Sequence, residues 1–116
     1  MAVIQDDGLK AKTCQLVLTT CPNRRAAQRI ARTLVEERLA ACVNIVPVAQ
    51  SVYRWRGKIE SAREFLLIIK SLKRAYTKLE KRLRALHPYE LPEVIAVPIT
   101  DGSRPYLAWI ANPDKS

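Results

Sequence analysis

The sequence predicts an α+β domain built on one antiparallel sheet, and three observations predict it. Two alternating stretches, Ser51-Val52-Tyr53-Arg54-Trp55 and Lys58-Ile59-Glu60, flank Arg56-Gly57. A two-residue turn with glycine second suits positive φ and closes a long β-hairpin. The second arm ends in Phe65-Leu66-Leu67-Ile68-Ile69, an unbroken apolar run suited to a central strand covered on both faces. Before and after the hairpin lie stretches with the three-to-four apolar spacing of amphipathic helices.

Residues 1–12 are polar and aperiodic and are expected to be a flexible tail, which leaves 13–116 as a single domain. Cys14 to Thr20 is a short first strand, broken by Cys21-Pro22-Asn23, and Asn23 is the expected N-cap of the helix that follows. Ala27, Ile30, Ala31 and Leu34 form that helix's apolar face, and it is expected to run to about Arg38. The hairpin's first arm contains Pro47, which cannot donate to a ladder and so marks an edge strand or a bulge. A tight turn sets Trp55 opposite Lys58 and Tyr53 opposite Glu60. Leu72, Tyr76, Leu79, Leu83 and Leu86 define a second helix, ended by His87-Pro88 because the residue before proline leaves the α region. Val94 to Ile99 is a last strand, with Pro98 pointing to another edge, and Ser103 caps a short helix over 104–110.

The order is βαββαβ with a terminal helix. Right-handed crossovers then give a four-stranded antiparallel sheet with both long helices on one face, the ferredoxin-like arrangement. The other face is left bare, and with a run as apolar as Phe65–Ile69 behind it, self-association is expected. The net charge of +9 favours anionic partners or plain solubility. No apolar run approaches the length of a membrane-crossing helix, and the opening residues, acidic early and without an apolar core, are not expected to be a signal peptide. Cys14, Cys21 and Cys42 are odd in number and lack a CxxC spacing, so reduced thiols and a cytoplasmic location are expected.

The most distinctive string is Leu86-His87-Pro88-Tyr89-Glu90-Leu91-Pro92-Glu93, which holds the single histidine of the chain. His87 could ligate a metal, carry a proton, or be satisfied by backbone at the helix end, and the last is the more frequent role of such a residue. Cys21 and Cys42 read as small packed hydrophobes rather than ligands. Lys70 closes the central strand, where its charge must reach solvent or a partner. Glu60, Arg63 and Glu64 read from the residues alone as solvated edge charges. The chain has no Gly-rich phosphate loop, no His-x-x-x-His pair and no nucleophile elbow.

The strings Cys42–Pro47, Ser51–Glu60, Leu67–Lys70 and His87–Glu93, with Tyr106-Leu107-Ala108-Trp109-Ile110, closely resemble the CutA divalent-cation tolerance family across roughly residues 14–111. The resemblance implies a ferredoxin-like homotrimer related to PII signal proteins and a role in tolerance to copper and other divalent metals. It further implies a metal ion or small effector in clefts between subunits. The residues carried over are His87 and Glu90 for a divalent cation, copper or zinc, and Trp55, Glu64, Lys70, Tyr89 and Trp109 for the cleft. The chain departs from some bacterial relatives at Thr19, where they have a copper-assigned Cys, and at Leu86-His87, where they have two consecutive His. Two further readings compete. A PII-like signalling module binds an effector without a metal role, and a small enzyme uses His87 as acid/base, although no nucleophile with a recognisable base supports it and the chain is expected not to be an enzyme. Specific nucleic-acid binding is not expected, because the first and third strands lack the stacking aromatics of RNA-recognition sheets. The basic stripe Lys73, Arg74, Lys78, Lys81 and Arg82 reads as a mostly solvated helix face.

Overall fold

The structure, a computed structural model, describes residues 13–115; the stretch expected to be a flexible tail lies outside them. Four strands make one sheet: β1 (Cys14–Cys21), β2 (Cys42–Trp55), β3 (Lys58–Leu72) and β4 (Ile95–Pro98), in the order β2-β3-β1-β4. Every neighbouring pair is antiparallel. β3 is therefore interior and β2 and β4 are edges, as the apolar run and the two prolines predict. Helix α1 (Arg24–Glu36) joins β1 to β2, α2 (Tyr76–Leu86) joins β3 to β4, and α3 (Arg104–Ala111) follows β4.

Local chemistry sets these boundaries. The Asn23 side chain accepts the Ala26 N–H at 2.8 Å and starts α1, and Ser103 accepts the Tyr106 N–H at 3.3 Å and starts α3. α1 stops two residues earlier than expected. Arg38 takes a left-handed φ of 61°, and the Leu39 and Ala40 N–H groups return to the Leu34 carbonyl. Arg56 and Gly57 have φ of 51° and 82°, the two positive values that a twisted two-residue hairpin turn needs. Trp55 faces Lys58 and Tyr53 faces Glu60, as predicted. The ladder slips between Val46 and Ala49, so Pro47 marks both an edge and a bulge.

The helix-bearing face holds the main core. Val17, Cys21, Leu67 and Ile69 of the sheet pack with Ala27, Ile30, Ala31 and Leu34 of α1 and Leu79 and Leu83 of α2. The opposite face departs from expectation, because it is not left wholly bare. α3 lays Leu107 and Ile110 over Cys14, with Leu72, Ala41 and Ile99 packed against them. The sequence predicts the helix over 104–110 but not its place on this face, since Cys14, Ala41 and Leu72, unlike Ile99, are distant from it in the chain. Beyond α3 that face stays partly open, with Val46, Ile95 and Val97 exposed. Val52 and Ile59 are exposed on the outer hairpin.

Candidate functional site: a cleft between the hairpin and the loop after the second helix

His87 leaves the α conformation (φ −75°, ψ 135°) while its N–H still reaches the Leu83 carbonyl at 2.9 Å. Pro88 enforces this exit, and the chain turns beneath the sheet's open face. The imidazole is nearly buried and both ring nitrogens are engaged. Nδ1 accepts the Tyr89 N–H at 3.1 Å, which leaves the proton on Nε2, and Nε2–H donates to the Thr20 carbonyl at 2.7 Å. The Tyr89 ring stacks at a tilt, 4.9 Å from the imidazole, and its hydroxyl donates to Glu64 Oε2 at 2.7 Å. Glu64 is 6% exposed, so the reading of it as a solvated edge charge is overturned. Tyr89 lies in the chain just beyond the end of α2.

Burial dominates the electrostatics here. It lowers the His87 pKa from 6.5, against the opposing pull of the Thr20 carbonyl and the Glu64 charge. It pushes the Cys21 thiol up to about 12, with Glu64 adding to the rise. Burial and then Glu64 raise Tyr89, so its hydroxyl stays a donor at neutral pH. Cys21 Sγ lies 3.9 Å from His87 Nε2 and is a protonated, packed thiol, as the sequence suggested. The three cysteines are unpaired.

Register places Ser51, Tyr53 and Trp55 on the same sheet face as Glu64. Together with the loop from Tyr89 to Ile95 they enclose a cleft of about 640 Å³, with Thr20 and Glu64 among its lining residues. Of the residues singled out from the sequence, Trp55, Glu64, Tyr89 and Glu90 meet here. His87, Lys70 and Trp109 do not line it. Lys70 extends its ammonium over the Tyr106 ring, 5.5 Å from the centroid, and Trp109 packs in α3 against the same ring. Tyr53 and Glu93 also line the cleft and were not picked out as site residues. The hairpin register was the signal for Tyr53, which sits two residues from Trp55.

A divalent metal would need several donor side chains converging on one point. No group of three or more His, Cys, Asp or Glu close enough to hold an ion occurs among the described residues. The His87 ring would have to give up one of its two hydrogen bonds to present a lone pair. Thr19, at the position of a relative's Cys, is fully buried, and its hydroxyl has no hydrogen-bond partner among the described residues. The described residues of one chain therefore do not form a closed metal site.

The His87 environment predicts a pH dependence of stability. The unfolded-state value is near 6.5 and the folded one is lower, so the native state binds fewer protons between them. Its stabilising contribution is complete above pH 6.5 and is lost as pH falls through the lowered folded value. Urea midpoints measured across that window should fall more for the native chain than for His87→Gln. Parallel curves for the two proteins would show that the imidazole is not the group responsible.

Comparison with known proteins follows the same contour. The family model described as CutA1 divalent ion tolerance protein matches residues 15–113. "Divalent-cation tolerance protein CutA" of Thermus thermophilus is 51% identical over 96 residues, 83% of this chain and 93% of its own. "Protein CutA, chloroplastic" of Arabidopsis thaliana is 45% identical over 96% of this chain, which spans 61% of that protein's length. Among solved structures, CutA1 of Shewanella sp. SIB1 superposes with a TM-score of 0.84 at 42% identity, covering 90% of this chain and 97% of its own. CutA1 of Oryza sativa gives 0.83 at 43% identity, covering 89% and 95%.

Proposed function

The chain belongs to the CutA1 divalent ion tolerance protein family, and from that premise we propose that it acts in divalent-metal tolerance as a PII-like homotrimer. Its ligand lies in the cleft between the hairpin and the loop after α2. The observation that carries this reading is the convergence of Trp55, Glu64, Tyr89 and Glu90 on one cavity. Its size is that of a small-molecule site. The strand order β2-β3-β1-β4 with α1 and α2 sharing one core supports the ferredoxin-like description. Exposed Val46, Ile95 and Val97 on the open face support self-association. Lys70 and Trp109 lie away from the cleft within one chain, so their place in it is as residues supplied by an adjacent subunit.

Copper or zinc is assigned in this proposal to His87 and Glu90, as a weakly held ion rather than a resident cofactor. Because the ring must release a hydrogen bond, affinity is expected no better than micromolar, about −8 kcal/mol. Calorimetric titration of the reduced, tag-free protein with Cu²⁺ or Zn²⁺ tests it. His87→Ala should remove most of the heat, Glu90→Gln part of it, and Cys21→Ser little. Binding unchanged in His87→Ala would overturn the assignment. The full engagement of both imidazole nitrogens favours the second reading, a PII-like effector-binding module without a metal role.

The cytoplasm is the proposed compartment, on the free thiols; no helix among the described residues is long and apolar enough to cross a membrane. One relative is named chloroplastic and another, from Archaeoglobus fulgidus, periplasmic. No specific nucleic-acid partner and no catalytic role are proposed. Of the basic stripe, Arg82 is taken by Glu37 through bonds of 2.9 to 3.1 Å, and Lys73, Arg74, Lys78 and Lys81 are exposed.

A further inference from the structure

We infer that the face formed by the two long helices docks on the phosphate backbone of a nucleic-acid duplex, without preference for sequence. The cleft plays no part in this. Residues 24–37 and 73–86, which span α1 and α2, carry ten of the chain's twenty Lys and Arg but only three of its eleven acids, so the positive charge is concentrated there. Two of those acids are already paired, Glu37 with Arg82 at 2.9 Å and Glu80 with Arg84 at 3.6 Å. The surplus cations form two rows. Arg25, Arg29 and Arg32 recur at helical spacing opposite the buried Ala27, Ile30, Ala31 and Leu34. Arg74, just before α2, recurs with Lys78 and Lys81 opposite the buried Leu79 and Leu83. All six are exposed, and no acid pairs with them among the described residues. The apolar faces of both helices enter one core, so both rows point away from the sheet. In the proposed assembly it is the sheet's other face that is covered, and the two rows stay outward.

The chemistry of the rows suits phosphate. Residues three and four apart on a helix stand about 5–6 Å from each other, and a duplex carries a phosphate charge for about every 1.7 Å of its axis, so several pairs form at once. Four of the six cations are Arg, whose planar fork matches two phosphate oxygens. The face has little with which to read bases, because the rings nearest to it, Phe65 and Tyr76, pack against the core. An anionic membrane is the competing partner for such charge. A helix lying in a membrane surface inserts an apolar face, and both helices here turn theirs to the core. Val35 is the single large apolar side chain left exposed on α1, and α2 exposes none. The duplex is therefore the better match.

Fluorescence anisotropy of the full chain with a labelled DNA duplex, followed across a salt series, tests this. Affinity should fall steeply with salt, with a log–log slope of about −4, the release of counterions from four or five phosphates. Scrambling the duplex sequence should change nothing. The triple variant Arg25→Gln/Arg29→Gln/Arg32→Gln should bind about tenfold more weakly at low salt, with the slope reduced by about 2 to 3. Arg74→Gln/Lys78→Gln/Lys81→Gln should behave alike, and it reports even if the first variant disturbs α1. Removing the same charge from the exposed hairpin, in Arg54→Gln/Lys58→Gln/Arg63→Gln, should cost much less. Equal losses in helix and hairpin variants would make the attraction one of net charge alone and overturn the docking face. No binding at about 50 mM salt, a flat salt series, or affinity that follows sequence would overturn it as well. Capture by vesicles of phosphatidylserine and phosphatidylcholine at a salt concentration that releases the duplex would overturn the duplex and give the face to a membrane.

Discussion

Leu67→Asp is expected to leave the chain unfolded, whereas Ile68→Asp is expected to leave it folded but unable to assemble. The two residues are neighbours on β3 and point to opposite faces of the sheet. Leu67 is fully buried beneath the helices. A carboxylate there meets no cation, and an unpaired buried charge costs several kcal/mol, against a total stability of about 5–15 kcal/mol. Ile68 lies between Leu18 and Asn44 on the other face and is half-buried in the single chain. Its aspartate can reach water until a second subunit covers the face, so the cost falls on assembly. Circular dichroism should show loss of structure for Leu67→Asp alone. Light scattering over a wide dilution range should give a constant trimer mass for the native chain and a monomer mass for Ile68→Asp. A native mass for Ile68→Asp would remove the open face from the proposed interface.

The parts of this fold legible in the sequence are those decided within a few residues. Asn23 and Ser103 cap their helices through side chains bonded three residues ahead. Arg56-Gly57 sets the hairpin turn, Pro47 sits at its bulge, and His87-Pro88 ends α2. The cleft was legible only in part, because its geometry depends on contacts between distant segments. Glu64 looks like any charge on the long hairpin until Tyr89, 25 residues on, bonds to it. The burial of His87 by the Thr20 carbonyl joins positions 67 residues apart. Lys70 and Trp109 were grouped with Trp55 and Tyr89 by family likeness, which does not reveal that they sit at separate places in one chain. The terminal helix was placed correctly, but its cover over Cys14 is a tertiary fact with no local signature.

Tyr89→Phe is expected to destabilise the chain by about 2 kcal/mol, within the range for a hydrogen bond to a charged group. The phenol is a 2.7 Å donor to a carboxylate that is almost wholly buried, and removing it strands that charge. The phenylalanine ring keeps the wall of the cleft and the stacking on His87, so the loss isolates the hydroxyl. In a Glu64→Gln background the same substitution should cost less, about 1 kcal/mol, because a neutral amide is cheaper to leave unsatisfied. The difference is the coupling that a double-mutant cycle reads, and urea unfolding of the four proteins under one buffer supplies it. Two outcomes separate the alternatives. Equal costs in both backgrounds would mean that the carboxylate charge is already met by something other than Tyr89. A Tyr89→Phe cost below about 0.5 kcal/mol, the scatter of neutral surface changes, would mean that water in the cleft replaces the hydroxyl freely. In the expected case Glu64 is a charge held in place by one phenol.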